Sequence, residues 1–236
     1  MGRLAAFDIE TTGVDPESDR IVTAAVSLVG GGQPAEHLSW LVDPGIEIPA
    51  GASAVHGITT ERARAEGRNA GEAVEEITAA LADQLRASVP VIAFNARFDL
   101  TILDREAQRH GLRPLLDRVG GPDGMLVIDP YVLDKQFDRF RRGKRTLSAV
   151  CEHYSVTLGE AHAANDDALA AARVAFRLGA RVPELHGIDL RVLHREQISW
   201  AAEQATSLEQ YFRGQGREEI VESAWPVVPH SLPRAA

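Results

Sequence analysis

"LAAFDIETTG", Leu4 to Gly13, is the stretch on which the reading of this chain turns. Leu4 to Ile9 is an apolar run with the habit of a β-strand, and it closes on two carboxylates one position apart, Asp8 and Glu10. Acidic residues are poor strand formers, and burying a carboxylate is costly. Side chains i and i+2 of a strand share a face, so Asp8 and Glu10 point one way while Phe7 and Ile9 point the other, into a core. Two carboxylates held side by side repel unless a cation lies between them. Mg²⁺ and Mn²⁺ take oxygen ligands, which such a pair supplies from a rigid base. Thr11, Thr12 and Gly13 then turn the chain and leave backbone donors beside the pair. An isolated D-x-E is also the ordinary end of a solvated strand, and other carboxylates in the chain separate the two readings.

Outward from this strand, "IVTAAVSLV" (Ile21 to Val29) is rich in β-branched residues and "HLSWLV" (His37 to Val42) alternates, so both read as strands. Short links containing Gly and Pro make the three antiparallel neighbours. "DPGIEIPAGAS" (Asp43 to Ser53) reads as loop. Val74, Ile77, Leu81 and Leu85 recur at helical intervals and predict an amphipathic helix over 70–87. The buried strand "PVIAFN" follows, then a helix from about Arg97 to His110, the strand "MLVID", and helices over 131–137, 146–154 and 165–181. Three strands followed by alternating helices and strands predict an α/β domain over residues 1–181. Its mixed sheet has three antiparallel strands plus two parallel ones, flanked by helices. Residues 182–236 form a C-terminal helical extension expected to pack back on the domain, with one or two helices over 188–212 and a frayed Pro-rich end, "WPVVPHSLPRAA".

With 44% hydrophobic and 25% charged residues among 236, the chain has the mix of a globular protein that buries a substantial core. No apolar run approaches the length of a membrane span, and Arg3, Asp8 and Glu10 interrupt the N-terminus too early for a signal peptide, so a cytoplasmic protein with no membrane partner is expected. The single cysteine, Cys151, excludes an internal disulfide framework and a multi-cysteine zinc site. At helical spacing in "LSAVCEHY" it reads as a small core residue. A net charge of −9 opposes a broad electrostatic grip on nucleic acid, yet carboxylates gathered in one metal site contribute to the same total.

Three further residues join the acidic pair. Asp99, in "FNARFDLTIL", shares a helical stripe with Ile102 and Leu103 and so faces inward, unlike Asp104. In "HAANDDALAAARVAFRL", Asn165 has the character of an N-cap. Asp166 stacks above Ala170, Arg173 and Arg177, a solvated face, whereas Asp167 stacks above Ala171, Val174 and Leu178. A packed helix therefore carries Asp167 toward the sheet and leaves Asp166 outside. His162 lies five positions earlier in the loop that feeds this helix, where it is either a surface residue or a proton acceptor beside a metal cluster.

Together, "FDIETTG", "VHGIT" (Val55 to Thr59), "NARFDLTIL", "GKRTLSAVCEHY" and "HAANDDALAA" resemble the DEDDh 3′-to-5′ exonucleases of the ribonuclease-H-like fold, which include the proofreading epsilon subunit of bacterial DNA polymerase III. The resemblance runs over about residues 1 to 180. It implies that Asp8, Glu10, Asp99 and Asp167 hold two Mg²⁺ or Mn²⁺ ions per active site, that His162 removes the proton of the attacking water, and that nucleoside monophosphates leave one at a time from the 3′ end of single-stranded DNA. By the same resemblance Thr11 and Thr12 are expected at the terminal nucleotide, and His56 is either a contact to it or an ordinary loop histidine. Phe98 either packs in the core or stacks a base, and the cationic run "DRFRRGKRTL" is either a solvated loop or a phosphate-contacting rim through Arg141 and Arg142. A 3′-to-5′ exoribonuclease of the ribonuclease T or oligoribonuclease type keeps the same chemistry on RNA, and a non-catalytic module that binds nucleic-acid ends or a polymerase is the reading of another class. No clamp-binding peptide is recognisable after Pro183, which leaves attachment to a DNA polymerase open.

Overall fold

The structure is a computed structural model that describes residues 2–159 and 163–230. β1 (Arg3–Thr11), β2 (Ile21–Gly30) and β3 (Glu36–Asp43) form an antiparallel meander. β4 (Arg68–Asn69) runs parallel to β3, β5 (Val91–Ile92) adds parallel to β1, and β6 (Val127–Ile128) adds parallel to β5. Among the described residues these strands make one sheet in the order β4-β3-β2-β1-β5-β6. The mixed sheet expected from the sequence is present, with β4 in addition; two residues are too few to leave a period-2 signal.

The helices are α1 (Ala50–His56), α2 (Thr60–Glu66), α3 (Ala70–Arg86), α4 (Ala96–Arg109), α5 (Leu115–Arg118), α6 (Pro130–Phe137), α7 (Leu147–His153), α8 (Ala164–Arg181) and α9 (Leu190–Gly214). Two expectations are corrected. α1 begins inside the stretch read as loop; it buries none of its residues, so no apolar stripe marked it. Asn165 does not cap α8, because Ala163 holds that position. Asn165 sits in the first turn, where its Oδ1 accepts a hydrogen bond from Ser27 Oγ at 2.7 Å.

The alternation along β1 sorts its residues between two layers. Ala5, Phe7 and Ile9 join the larger core with Val74, Ile77 and Leu81 of α3 and Leu100 and Leu103 of α4. Leu4 and Ala6 face the other side, against Ala168, Ala171 and Ala172 of α8. Alanines on that face let the helix approach the sheet closely. Period-2 alternation carries Asp8 and Glu10 onto this same α8 side, so the end of β1 meets the start of α8.

α9 lies across α6 and β6 and buries Leu193, His194, Gln197, Ala201 and Ala205. β6 is an edge strand, and α9 supplies side chains where a neighbouring strand is missing. Gln197 Nε2 donates to Val127 O at 2.9 Å and its Oε1 accepts from Asp129 N at 2.7 Å, while His194 Nδ1 accepts from Val127 N at 3.3 Å. Beyond α9 the chain returns along α4. Val228 N donates to Thr101 Oγ1 at 3.0 Å, and Arg105 donates to the carbonyls of Val228 and Pro229. Trp225 is buried. The expected fraying therefore does not hold over Trp225–Pro229, and residues 231–236 lie outside the described residues. No described helix is long and apolar enough to cross a membrane.

Candidate active site

β5 pairs with β1 only at Ala5 and Ala6, so β1 runs on past its neighbour and the sheet parts there. The Ile9 N–H, which a longer β5 would have engaged, donates instead to Asp99 Oδ1 at 3.2 Å. That bond brings the first turn of α4 against the strand that carries Asp8 and Glu10. From the other side α8 delivers Asp167, and ligand oxygens of Asp8, Glu10 and Asp167 all lie within 4.8 Å of one another. Asp99 and Asp167 are buried, and Asp8 and Glu10 half-buried. Helix-face reasoning had separated Asp167 from Asp166, and Asp166 is the more exposed of the two. Its face is less open than expected, because Ala170 is fully buried in a core shared with Val150 and Cys151 of α7.

The cluster carries strong electrostatic tension. Burial raises the Asp8 carboxyl well above its usual range, and repulsion from Asp99, Asp167 and Glu10 adds to it. Burial and Asp167 push Glu10 up to about 7. Burial also raises Asp99, against hydrogen bonds from its own amide and from Ile9 N–H that favour the charged form. Even the buried Cys151 thiol is driven up to about 11, by burial first and then by Asp167. Several buried carboxylates with converging oxygens and too little positive charge fit a divalent cation.

A fifth carboxylate escaped the sequence reading. Asp129 ends β6, caps α6 through Tyr131 N at 2.9 Å, and accepts from Asn95 N at 2.9 Å, Ala96 N at 3.0 Å and Trp225 Nε1 at 3.1 Å. Asn95 turns the chain from β5 into α4 with φ +62°, a left-handed conformation that asparagine tolerates better than most residues. Asp129 thus fixes the corner from which Asp99 projects. Its only trace in the sequence is the strand-ending Asp followed by Pro in "VIDP".

His162 falls outside the described residues. The hydroxyl of Thr11 donates to Gly13 O at 2.6 Å and that of Thr12 to Asp19 Oδ1 at 2.7 Å, while Thr12 N donates to Arg20 O at 3.0 Å. Both threonines are buried in the turn, and the donors expected to be free at Thr12 are engaged within it. His56, the last residue of α1, accepts from Ile58 N at 3.1 Å through Nδ1 and lines a groove of about 510 Å³ that also includes Thr23 and Asn165. Thr23 pairs with Glu10 across β1 and β2, so this groove adjoins the carboxylates. Phe98 is half-buried and packs on the larger core. Arg141, one of the two candidates for a phosphate-contacting rim, is engaged in an ion pair. Its Nη2 donates to the fully buried Asp134 at 2.9 Å, beside Arg145, and only Arg142 of the pair is exposed. Burial pushes the Asp134 carboxyl up, but hydrogen bonds from Arg141, Arg145 and Tyr154 hold it below its usual range.

The model of the RNase_T exonuclease family matches residues 5–175, a segment that contains every carboxylate of the cluster. The chain belongs to the exonuclease family. The resemblance to DEDDh exonucleases is thereby borne out, as is the mixed α/β fold. Among similar proteins of this exonuclease chain is the PolC-type DNA polymerase III of Streptococcus sanguinis, 28% identical over 185 residues that make up 77% of this chain and 11% of that one. The fold is shared with E. coli exonuclease I in complex with a dT13 oligonucleotide, at a TM-score of 0.63 and 20% identity over 78% of this chain and 42% of that one. Exonuclease I from Methylocaldum szegediense gives 0.61 and 23% over the same shares. The chain thus spans about a tenth of its polymerase relative and under half of either exonuclease I.

Proposed function

We propose that this exonuclease chain is a metal-dependent enzyme that shortens single-stranded DNA from its 3′ end, releasing nucleoside 5′-monophosphates, in a proofreading or repair role. The observation that carries the reading is the convergence of Asp8, Glu10 and Asp167, with Asp99 tied to the strand between the first two. The dT13 strand bound by E. coli exonuclease I favours DNA over RNA, and the PolC-type relatives favour a link to replication. We assign the catalytic domain to residues 1–181 and treat 182–236 as its extension.

Asp8, Glu10, Asp99 and Asp167 would hold two Mg²⁺ or Mn²⁺ ions. When bound, the ions supply Lewis-acid stabilisation of the scissile phosphate and a more acidic water. The protein fixes the geometry: β1 holds two carboxylates rigidly, the Ile9 amide orients the third, and the first turn of α8 sets the fourth. His162, in the segment joining α7 to α8, is assigned as the base that takes the water's proton. Cleavage of the phosphodiester leaves a 3′-hydroxyl on the shortened strand and a 5′-phosphate on the released nucleotide. The groove at His56 is assigned to the terminal nucleotide.

The test is a gel of a 5′-labelled DNA oligomer beside its RNA twin, with Mg²⁺, Mn²⁺ or EDTA. A ladder shortening from the 3′ end in the DNA lanes, absent with EDTA, is expected. Metal-independent cleavage, or digestion of RNA alone, overturns the reading.

A further inference from the structure

Between α6 and α9 runs a groove of about 320 Å³ lined by Lys135, Arg139, Arg145, Gln204, Leu208 and Tyr211. A second hollow shares Lys135, Gln204 and Leu208 with it and extends to Asn95, Arg97 and Tyr131. The two make one path. Its inner end, at Asn95 and Asp129, lies just past the carboxyl ends of β5 and β6, the same end of these parallel strands at which β1 carries Asp8 and Glu10.

The path is cationic in a protein of net charge −9. Neither Lys135 nor Arg139 forms an ion pair with a described residue. Arg141 and Arg145 share the single carboxylate of Asp134, which leaves that trio net positive. Burial, with repulsion from Arg97 and Arg145, holds the Lys135 ammonium below its usual range against the pull of Asp129. Glu203 on the α9 wall and the buried Asp129 at the inner end are the opposing acids. Aromatic rings accompany the cations: Lys135 Nζ lies 5.0 Å from the Tyr131 ring centre, Tyr211 is 61% exposed, and Phe140 beside Arg139 is 91% exposed. Cations interleaved with exposed rings suit a single nucleic-acid strand, whose phosphates and bases they meet in turn. The α9 wall lies outside the segment matched to the exonuclease family, which ends at residue 175.

We propose that the α6–α9 groove carries the single-stranded segment upstream of the 3′ end being cut, with its phosphates on Lys135 and Arg139 and a base against Tyr211. The assignment of direction rests on the exonuclease reading, but binding can be measured without turnover.

Fluorescence anisotropy of 5′-fluorescein-dT20 and dT4 in EDTA, over a salt series, tests it with the full chain. The double variant K135Q/R139Q is expected to weaken dT20 binding about tenfold and dT4 binding less than about twofold. It should also flatten the plot of log Kd against log salt by about 1.4, the value for two lost phosphate contacts on a single strand. Glu203→Gln is expected to tighten dT20 binding. Unchanged dT20 affinity in K135Q/R139Q, or displacement of dT20 by poly-glutamate as readily as by unlabelled dT20, overturns the proposal; the latter outcome marks an acidic-peptide surface. Turnover of the wild type in Mg²⁺ is scored separately, so failure of the nuclease reading leaves the binding result standing.

Discussion

Asp167 is 9% exposed and faces the carboxylates of Asp8 and Glu10, whereas Asp166, one position earlier, projects from another side of the same turn. Asp167→Asn is expected to lower kcat by about a thousandfold, the scale on which a preorganised electrostatic group matters. Asp166→Asn should change it by about twofold at most, as for a surface substitution. Steady-state kinetics on a DNA oligomer check both. Glu10 makes a second prediction, about pH. Its folded-state value near 7 exceeds the ordinary 4.5, so between those values the folded chain keeps a proton that the unfolded chain has lost. Metal-free stability therefore falls as pH rises through that window. In EDTA, the Tm advantage of Glu10→Gln over the wild type should be small at pH 5 and grow toward pH 7.5; an advantage independent of pH would refute this account. These acids were legible in the sequence because strand and helix periods put each on a definite face. The role of Arg141 was not, because nothing in a run of cations shows which of them reaches back to an aspartate on the preceding helix.

At the scale of elements, the site exists because β5 is short. A strand of two residues leaves the Ile9 amide to Asp99 and opens the sheet where the carboxylates meet. Hydropathy located that strand but not its length, since "PVIAFN" is apolar well beyond the paired residues. The long amphipathic helices α3, α4 and α8 were legible to within a residue or so of their ends, whereas α1, α5 and β4 are short or exposed and carry no stripe. α9 was expected to be amphipathic, but its central polar residue acts as core. Gln197 is fully buried and bonds Asp129 N and Val127 O. Gln197→Leu keeps the bulk and strands two buried backbone groups, so it should cost about 3 kcal/mol, read as a lower urea midpoint with unchanged m-value.

For the molecule as a whole, the described residues beyond Val182 are part of the fold. Trp225 helps hold Asp129, and Asp129 holds the corner from which α4 presents Asp99. A chain ending at Val182 should therefore melt well below the full chain and lose nuclease activity that added Mn²⁺ does not restore, as measured by calorimetry and oligomer digestion. This dependence was hidden in the sequence, because a proline-rich segment has no period and docks largely through backbone groups. The same covering of β6 has a consequence for assembly. One rim of the sheet is blocked by α9, and the other ends on β4, a strand of two residues. The α9 rim offers no open strand edge, whereas on the other rim β4 covers only Val42 and Asp43, so Glu36–Leu41 of β3 is the length along which a visiting protein could lay a strand of its own.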